Sequence, residues 1–509
     1  MSFIVWAIIL VALVGVLGLR ASGSGLLPGP PGLPLIGNWS ELRGKKLHLV
    51  LTEWARRYGD FYSYRVGRNS LFVVSSVAAF DELFAKKGSL YNSRPLTSAM
   101  AHRARRRVLQ TILSGQNSKI FLPYQEFESR AVLVNLAARP ETFYHEAARY
   151  SSSVTFSMLL GARFETSDAV VPRKIRDEKM LFWQHLSPGS WITDWLPFLD
   201  YLPAPLAPWR KRADWMHDRW HSFFSVFFDR MNDRYKRGIA QDCFLARFLA
   251  EPDVGRWSHV DSVGIVAEIL SAGTETTIAS VHWFFRGAIF FPEAMKLAQQ
   301  ELDEVVGRDR LPQWEDRPNL PYVEALIQEL HRWSSLSPLA VPHATTDADS
   351  YRGVKVPRGA TVIANTYAAH HDAGTYPRPE KFVPARFLPA DHPWHDAELA
   401  TLQKHYAFGV GRRACPGLQV ANASLFIVIS RVLWGFDIRV APSGPPRFET
   451  TASPLVVAPA PFDCSVTVRD EKAKELIARE AATLTPPQGL ESASVYDGLV
   501  MDWVKQNPL

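Results

Sequence analysis

The longest apolar stretch in the body of the chain lies between residues 258 and 291. It is too long for a strand and meets no proline before Pro292, so it predicts a long buried helix. Residues 321–335 begin with proline and carry apolar side chains three and four positions apart, which predicts a second helix. Strand-like runs are few: 62–67, 71–76, 361–366 and 453–468. The pattern predicts a mainly α body with small β-sheets.

The start of the chain has a different pattern. Residues 3–19 form an uncharged, almost wholly apolar run that is followed by Arg20. A helix of this length reaches the lower limit for crossing a membrane. A cleaved signal peptide is the alternative, but such peptides carry basic residues before the apolar run and this chain has none there. We therefore expect a transmembrane helix, residues 1–20, that leaves the body in the cytosol.

Composition changes twice more along the chain. Residues 26–38 hold four prolines and three glycines, so 21–38 is interpreted as a stiff hinge behind the anchor. No second linker follows, and residues 39–470 are interpreted as one catalytic domain. The remaining segment, 471–509, begins with a charged helical run and continues into a polar stretch. It is treated as a C-terminal extension without an assigned role.

Charge and cysteine content exclude several classes of protein. The net charge of +6 is mild for 509 residues, and no nucleic-acid-binding motif accompanies it, so nucleic acid is not an expected partner. Three cysteines, Cys243, Cys415 and Cys464, cannot form a disulfide framework. No cluster of cysteine and histidine offers a zinc site.

Residues 408–417, FGVGRRACPG, carry the strongest chemical signal. Their glycines loosely match a dinucleotide-binding turn, but no good strand precedes them and Pro416 removes an N–H that a phosphate would need. The alternative centres on Cys415. Flanking glycines allow a tight loop, and the apolar helix that follows places its positive end near the sulfur, which favours a thiolate. Such a cysteine could be a metal ligand or a nucleophile.

The same stretch resembles the haem-binding loop of cytochromes P450, whose pattern FxxGxRxCxG it matches at Phe408, Gly411, Arg413, Cys415 and Gly417. The resemblance implies the cytochrome P450 fold and heme b with Cys415 as the thiolate ligand of its iron. Phe408 and Gly409 would line the sulfur side, and Arg413 would pair with a haem propionate. A thiolate ligand favours cleavage of the O–O bond.

Three further motifs follow the family order. SAGTETT, 271–277, resembles the oxygen-activation motif; Ala272 and Gly273 would leave room at the haem. Glu275 and Thr276 would be catalytic and relay protons. Glu329 and Arg332 share one helix face, and the resemblance implies that Arg386 completes a buried structural triad with them.

The resemblance also implies an apolar substrate pocket and further haem contacts. The pocket would be lined by Leu339, Ala340, Val341, Leu455 and Val456, and His343 would contact the cofactor. One region departs from the family pattern. Where a tryptophan and an arginine normally meet a propionate, the chain has His102 and Arg106, and the loop before them is largely missing.

The resemblance is greatest to fungal, membrane-anchored enzymes of secondary metabolism, of the O-methylsterigmatocystin oxidoreductase and tryptamine hydroxylase type. It implies a monooxygenase of the endoplasmic reticulum that acts on a mostly apolar small molecule with O2. No flavin or nicotinamide module follows the haem loop, so electrons would come from NADPH–cytochrome P450 reductase, with cytochrome b5 as a possible second donor. Dehydration, isomerisation or oxidative coupling remain alternatives, as does a non-catalytic haem-binding protein with a shortened segment before His102.

Overall fold

The computed structural model describes residues 28–508, apart from 34–35, 68, 96–107, 111–112, 114, 187–190, 192, 194–198, 200, 400–403 and 452–454. The expected transmembrane helix, the first part of the hinge, His102 and Arg106 therefore lie outside the described residues. The α-helices are α1 Trp39–Leu42, α2 Leu47–Tyr58, α3 Val77–Phe80, α4 Leu122–Ala138, α5 Phe143–Leu160, α6 Val170–Leu186, α7 Pro208–Lys236, α8 Phe244–Ala250, α9 His259–Phe290, α10 Pro292–Val305, α11 Pro321–Ser334, α12 Thr366–His370, α13 Leu418–Gly435, α14 Glu471–Thr483 and α15 Ser494–Gln506.

The β-structure is small and divided among separate sheets. The strands are β1 Phe61–Val66, β2 Asn69–Val74, β3 Ala162–Arg163, β4 His343–Ala344, β5 Asp349–Tyr351, β6 Val354–Val356, β7 Thr361–Ala364, β8 Phe436–Val440, β9 Cys464–Val468 and β10 Glu491–Ser492. The largest sheet has the order β1-β2-β7-β4, with β2 and β7 parallel and the other neighbours antiparallel. The prediction of a mainly helical body with small sheets is confirmed.

Two strand boundaries differ from the sequence prediction because polar residues start helices there. Ser76, predicted in a strand, accepts a hydrogen bond on its hydroxyl from the N–H of Ala79 and caps α3. Asn365 likewise accepts from the N–H of Ala368 and caps α12. The strand predicted from 453 begins only at Cys464, since Pro459 and Pro461 cannot donate to a ladder.

The predicted long helix is α9, which crosses the centre of the molecule. Ser258 caps its first turn by accepting from the N–H of Asp261, and α10 starts at Pro292 immediately beyond its end. It packs along α5 and also contacts α13. The second predicted helix is α11, with Pro321 in its first turn.

Within the described residues, only α13 is long and apolar enough to cross a membrane, and most of it is buried in the protein. It runs beside α4 and α10 in the main hydrophobic core. Helix α13 is therefore a core helix. Its first turn follows Cys415, and its residues are buried from Ala423 onward.

The C-terminal extension is folded against the body. Helix α14 contacts α4, and α15 contacts α6 and α7. Between these helices, β10 pairs in parallel with β3. Tyr496, Val500 and Trp503 supply the buried face of α15, so the stretch interpreted as polar contains an amphipathic helix.

Candidate active site

Cys415 lies at the end of a short loop that leads into α13. Its N–H donates to the carbonyl of Phe408 at 2.8 Å, and the N–H of Gly409 donates to Tyr406 at 2.9 Å. These bonds close the loop on itself and leave Cys415 exposed. Because the positive end of α13 lies just beyond the sulfur, the loop is suited to hold a thiolate.

Glycine is required at position 411 by contact as well as by conformation. Gly411 has φ 66°, and a Cβ atom there would stand 2.2 Å from the carbonyl oxygen of Phe84. Phe84 belongs to the π-helical turn Asp81–Lys86. Gly409 also has a positive φ, 71°, but the nearest atoms to its missing Cβ are 3.8 Å away. The loop is thus anchored on the 81–86 turn through Gly411.

Phe408 packs on a buried histidine behind the loop. Its ring meets His331 of α11 edge-on, with ring centroids 4.8 Å apart. His331 is buried, and this burial lowers its pKa to about 4, so the imidazole is neutral. Phe408 therefore rests on an uncharged surface beside the cysteine.

Arg413 and His343 converge on the segment that precedes residues 96–107. The Nε of Arg413 donates to the carbonyl of Asn92 at 2.6 Å. The Nδ1 of His343 lies 2.7 Å from the carbonyl of Tyr91 and so carries the proton. Arg413 and His343 therefore bind neighbouring carbonyls of one short stretch. The propionate role of Arg413 and the cofactor contact of His343 stay predictions.

Glu329, Arg332 and Arg386 form a fully buried cluster. Arg332 donates to both oxygens of Glu329 at 2.7 and 2.8 Å, and the Nε of Arg386 is 3.2 Å from the same carboxylate. The side chains of all three are 0% exposed. Both guanidinium groups also donate to backbone carbonyls of 370–381, which fixes that meander onto α11.

A histidine that the sequence reasoning did not single out connects this cluster to the cysteine loop. The Nε2 of His370 accepts from the N–H of Tyr406 at 2.9 Å, so its Nδ1 donates to the hydroxyl of Ser335, also at 2.9 Å. Ser335 donates in turn to the carbonyl of Arg332. Burial, together with the neighbouring histidines and Arg332, holds the pKa of His370 well below its usual range, which keeps the imidazole neutral for this relay. Only the tertiary contacts of His370 reveal its role, because no local sequence pattern marks it.

The predicted oxygen-activation motif lies at the middle of α9. Ala272 is exposed although most of the helix is buried, and the hydroxyl of Thr276 donates to the Ala272 carbonyl at 2.7 Å. Gly273 serves packing: a Cβ there would come 3.3 Å from the Thr155 methyl group of α5. The open position in this motif is therefore Ala272.

Glu275 has a partner that the sequence pattern did not reveal. Its carboxylate forms an ion pair with Lys179 of α6, and the Lys179 ammonium also donates to the Ser271 carbonyl at 2.8 Å. The Lys179 side chain is 6% exposed and that of Glu275 23%. The Glu275 carboxylate thus faces α6, while the neighbouring Thr276 hydroxyl bonds within α9.

The predicted pocket residues belong to two segments that meet. The N–H of Val457 donates to the carbonyl of Leu336 at 2.8 Å, which brings residues 336–341 beside 455–457. Ala340, Val341 and Leu455 are partly exposed. Val456 is buried, and Leu339 packs in the smaller core cluster with Leu51 and Trp54. The partly exposed residues are thus the ones available to an apolar ligand.

These residues fit a haem with a thiolate ligand. The donor is a single exposed cysteine at the start of a helix, with an arginine in the same loop. Ala272 and the partly exposed Thr276 interrupt the buried surface of α9. A haem needs a soft anionic ligand for its iron, a cation for its propionate carboxylates and a surface of small residues beside it.

Comparisons with known proteins agree with this geometry. The family model described as Cytochrome P450 matches residues 27–466. The chain belongs to the cytochrome P450 family. Cytochrome P450 monooxygenase polD of Polytolypa hystricis is 33% identical, over 91% of this chain and 94% of its own length. Cytochrome P450 monooxygenase fogE of Aspergillus ruber is 33% identical over 86% and 85% of the two chains, and virE of Hypocrea virens 32% over 89% and 87%.

Membership in the cytochrome P450 family settles the class of the enzyme and its cofactor. The chain is a P450 monooxygenase, and haem with a cysteine thiolate ligand is expected. The exposed thiol of Cys415 fits that expectation; Cys243 is buried and Cys464 lies in β9. Burial raises the pKa of Cys243 to about 11 and that of Cys464 to about 12, so both are held as thiols.

Proposed function

We propose that this P450 hydroxylates or oxidatively tailors a mostly apolar small molecule in a fungal secondary-metabolite pathway. The observation that carries the proposal is the closed loop that presents Cys415 in front of α13. The fungal relatives named P450 monooxygenases support the class of reaction. The partly exposed apolar residues of 340–341 and 455 support an apolar substrate.

When bound, the haem would supply activation of O2 at an iron that is held by the Cys415 sulfur. The chain's own residues set the surroundings of that centre. Arg413 would neutralise a propionate, Phe408 would exclude water from the sulfur, and Ala272 would leave room for O2 and substrate. Glu275 and Thr276 would move protons into the site, the carboxylate through exchange with solvent and the hydroxyl after it releases its hydrogen bond to the Ala272 carbonyl, which has no proton to supply.

The electron donor in this proposal is NADPH–cytochrome P450 reductase, with cytochrome b5 as an additional donor. Lys404 precedes the cysteine loop and Arg412 belongs to it, and both side chains are exposed. Lys404 pairs with Asp81 at 2.9 Å, so Arg412 offers the less neutralised charge to an acidic partner. Residues 1–20 would anchor the enzyme in the endoplasmic reticulum membrane, 21–38 would act as the hinge, and 39–470 would face the cytosol.

The ligand assignment is tested by the reduced, carbon monoxide-bound difference spectrum of the purified enzyme. Wild type is expected to give the thiolate-type Soret band, and Cys415→Ala to lose it while keeping the helical circular dichroism of wild type. Cys464→Ala is the matched control, because it removes a half-buried thiol of β9, and its spectrum should not change. A thiolate-type band in Cys415→Ala would contradict the assignment.

The type of reaction is tested by co-expression with a P450 reductase in a host that makes candidate apolar precursors. Oxygen insertion predicts a product heavier by one oxygen atom, labelled when the culture is grown under 18O2. A product without the label, formed only with the active enzyme, would instead support dehydration, isomerisation or coupling.

A further inference from the structure

The C-terminal strap, defined here as residues 490–507, is bound to the two helices α6 and α7 at several points. Asp497 accepts from the N–H of Val171 at 2.9 Å, at the start of α6. Glu491 forms ion pairs with Arg230 and Arg234 of α7. Together with the pairing of β10 and β3, these contacts tie the strap to both helices.

The C-terminal end of the strap covers a buried ion pair between α6 and α7. Arg219 of α7 donates to both oxygens of Glu178 of α6, at 2.6 and 2.7 Å. The remaining nitrogen of Arg219 donates to the Asn507 carbonyl at 2.9 Å, and the guanidinium lies 4.8 Å from the Trp503 ring centroid. The Trp503 indole N–H donates to Ser222. The strap therefore closes the Arg219 site from outside.

Glu178 and Lys179 are adjacent on α6 and point to different partners. Glu178 faces Arg219 and the strap, whereas Lys179 faces α9 and binds Glu275 and the Ser271 carbonyl. Both side chains are less than a tenth exposed. A rotation or shift of α6 that broke one of these contacts would move the other, because a helix is rigid over two neighbouring residues.

We propose that the C-terminal strap positions Lys179 against Glu275 by holding Arg219 and Glu178 on the other side of α6. Lys179 and Trp503 are then positioning residues for the proton-handling carboxylate. The catalytic consequence of this role rests on the proposed function. The structural coupling of residues 490–507 to α6 and to the centre of α9 is independent of the proposed function.

The test begins with three variants of the full chain. Trp503→Ala removes the strap's ring from Arg219, and Trp503→Phe keeps an aromatic ring there. Trp215→Ala is the matched control, since Trp215 also lies over Arg219, at 5.6 Å, but belongs to α7 and not to the strap. All three change an aromatic neighbour of the same guanidinium.

The first readout is amide hydrogen exchange, which does not depend on turnover. Trp503→Ala is expected to speed exchange of residues 170–186 and 271–277 by about tenfold while leaving α11 unchanged. Trp503→Phe and Trp215→Ala should stay near wild type. Unchanged exchange of 170–186 and 271–277 in Trp503→Ala, or the same acceleration in Trp215→Ala, would overturn the proposal.

The second readout is hydrogen peroxide released per NADPH by the haem-loaded enzyme with P450 reductase. Lys179→Met and Trp503→Ala should each raise this ratio several-fold, and the double variant should release no more than Lys179→Met alone. Additive effects would show that the strap acts by another route and overturn the coupling to Lys179. If wild type fails the Cys415 spectral test, the proposed function is wrong, and the exchange result alone decides on the coupling of the strap to α6.

Discussion

Two carboxylates near the predicted haem are held in different ways. Glu329, behind the cysteine loop, is 0% exposed and lies between two guanidinium groups that are themselves fixed to backbone carbonyls. Glu275, on α9, is 23% exposed and has one lysine as its ionic partner. Forked, bidentate contacts define one geometry, whereas a single ammonium is a point charge on a flexible stem. The carboxylate behind the cysteine loop is thus held in one geometry, whereas the carboxylate on α9 can adjust its position. These two regions are called here the cysteine side and the α9 side.

The largest expected effect is that of Glu329→Gln. It leaves two buried guanidinium groups without their counterion, so the free energy of unfolding should fall by about 3–5 kcal/mol. Urea unfolding followed by circular dichroism measures this loss. Arg317→Gln is the matched control. It breaks the ion pair of Arg317 with Glu324, which lies on the same helix as Glu329, and both side chains of this pair are about one third exposed. The free energy of unfolding should fall by less than about 1 kcal/mol. Equal losses would contradict the contrast between fixed and adjustable charges.

The next effect concerns the cysteine loop itself. Gly411→Ala would place alanine at a strained positive φ and would also bring its Cβ atom against the Phe84 carbonyl. Gly409→Ala would introduce only the strained φ. We expect losses of about 3 kcal/mol for Gly411→Ala and about 1 kcal/mol for Gly409→Ala in the same unfolding measurement. Haem content should fall with the first and be retained in the second. Equal losses would mean that the loop is not anchored on the 81–86 turn.

Acid should weaken the cysteine side through His331. Its pKa is about 4 in the folded protein because it is buried, and near 6.5 when exposed, so the unfolded chain binds more protons between these values. Stability is therefore complete above about pH 6.5 and falls as the pH drops toward 4. From pH 7 to 5, the loss due to this residue is about 2 kcal/mol.

The measurement for His331 compares unfolding at pH 7 and pH 5 in wild type and His331→Gln. The variant should lose about 2 kcal/mol less than wild type over this range. His217→Gln, at an exposed position of α7, should lose as much as wild type. A variant with the wild-type pH dependence would show that another group carries the effect.

The smallest expected change in stability is that of Glu275→Gln. The amide oxygen can still accept from Lys179, and the side chain has access to solvent, so the unfolding free energy should change by about 1 kcal/mol or less. Peroxide release per NADPH should nevertheless rise. A loss as large as that of Glu329→Gln would show that the α9 side is equally fixed and would break the comparison.

Local signals in the sequence predicted the main elements. Ser258 and Pro292 mark the ends of α9, and Pro321 marks the start of α11, because caps and prolines act within a few residues. The resemblance added the haem role of Cys415 and the pairing of Glu329 with Arg386, which neither periodicity nor composition could provide. The placement of Arg386 beside Glu329 spans 57 positions of the chain.

What the sequence did not show depends on contacts between distant segments. His370 matters because its ring lies between Ser335 and the backbone of Tyr406, and Lys179 because α6 lies over the centre of α9. Nothing in the local pattern around either residue differs from that of an ordinary helix. Likewise, the sequence of residues 491–507 is interpreted as polar, and only the structure shows the face that is buried against α6 and α7. Periodicity cannot identify side chains whose role depends on a tertiary partner.

The pairing of β10 with β3 has a consequence for the order of assembly during synthesis. Ala162 and the helices α6 and α7 leave the ribosome more than 250 residues before Glu491 and Trp503. At about 5–20 residues per second, that interval lasts roughly 15–50 s. During this time the apolar surface of Phe223 and Phe227 lacks the side chains of Trp503 and Tyr496 that later cover it. The nascent enzyme is therefore exposed to chaperones and proteases at this surface until the strap arrives.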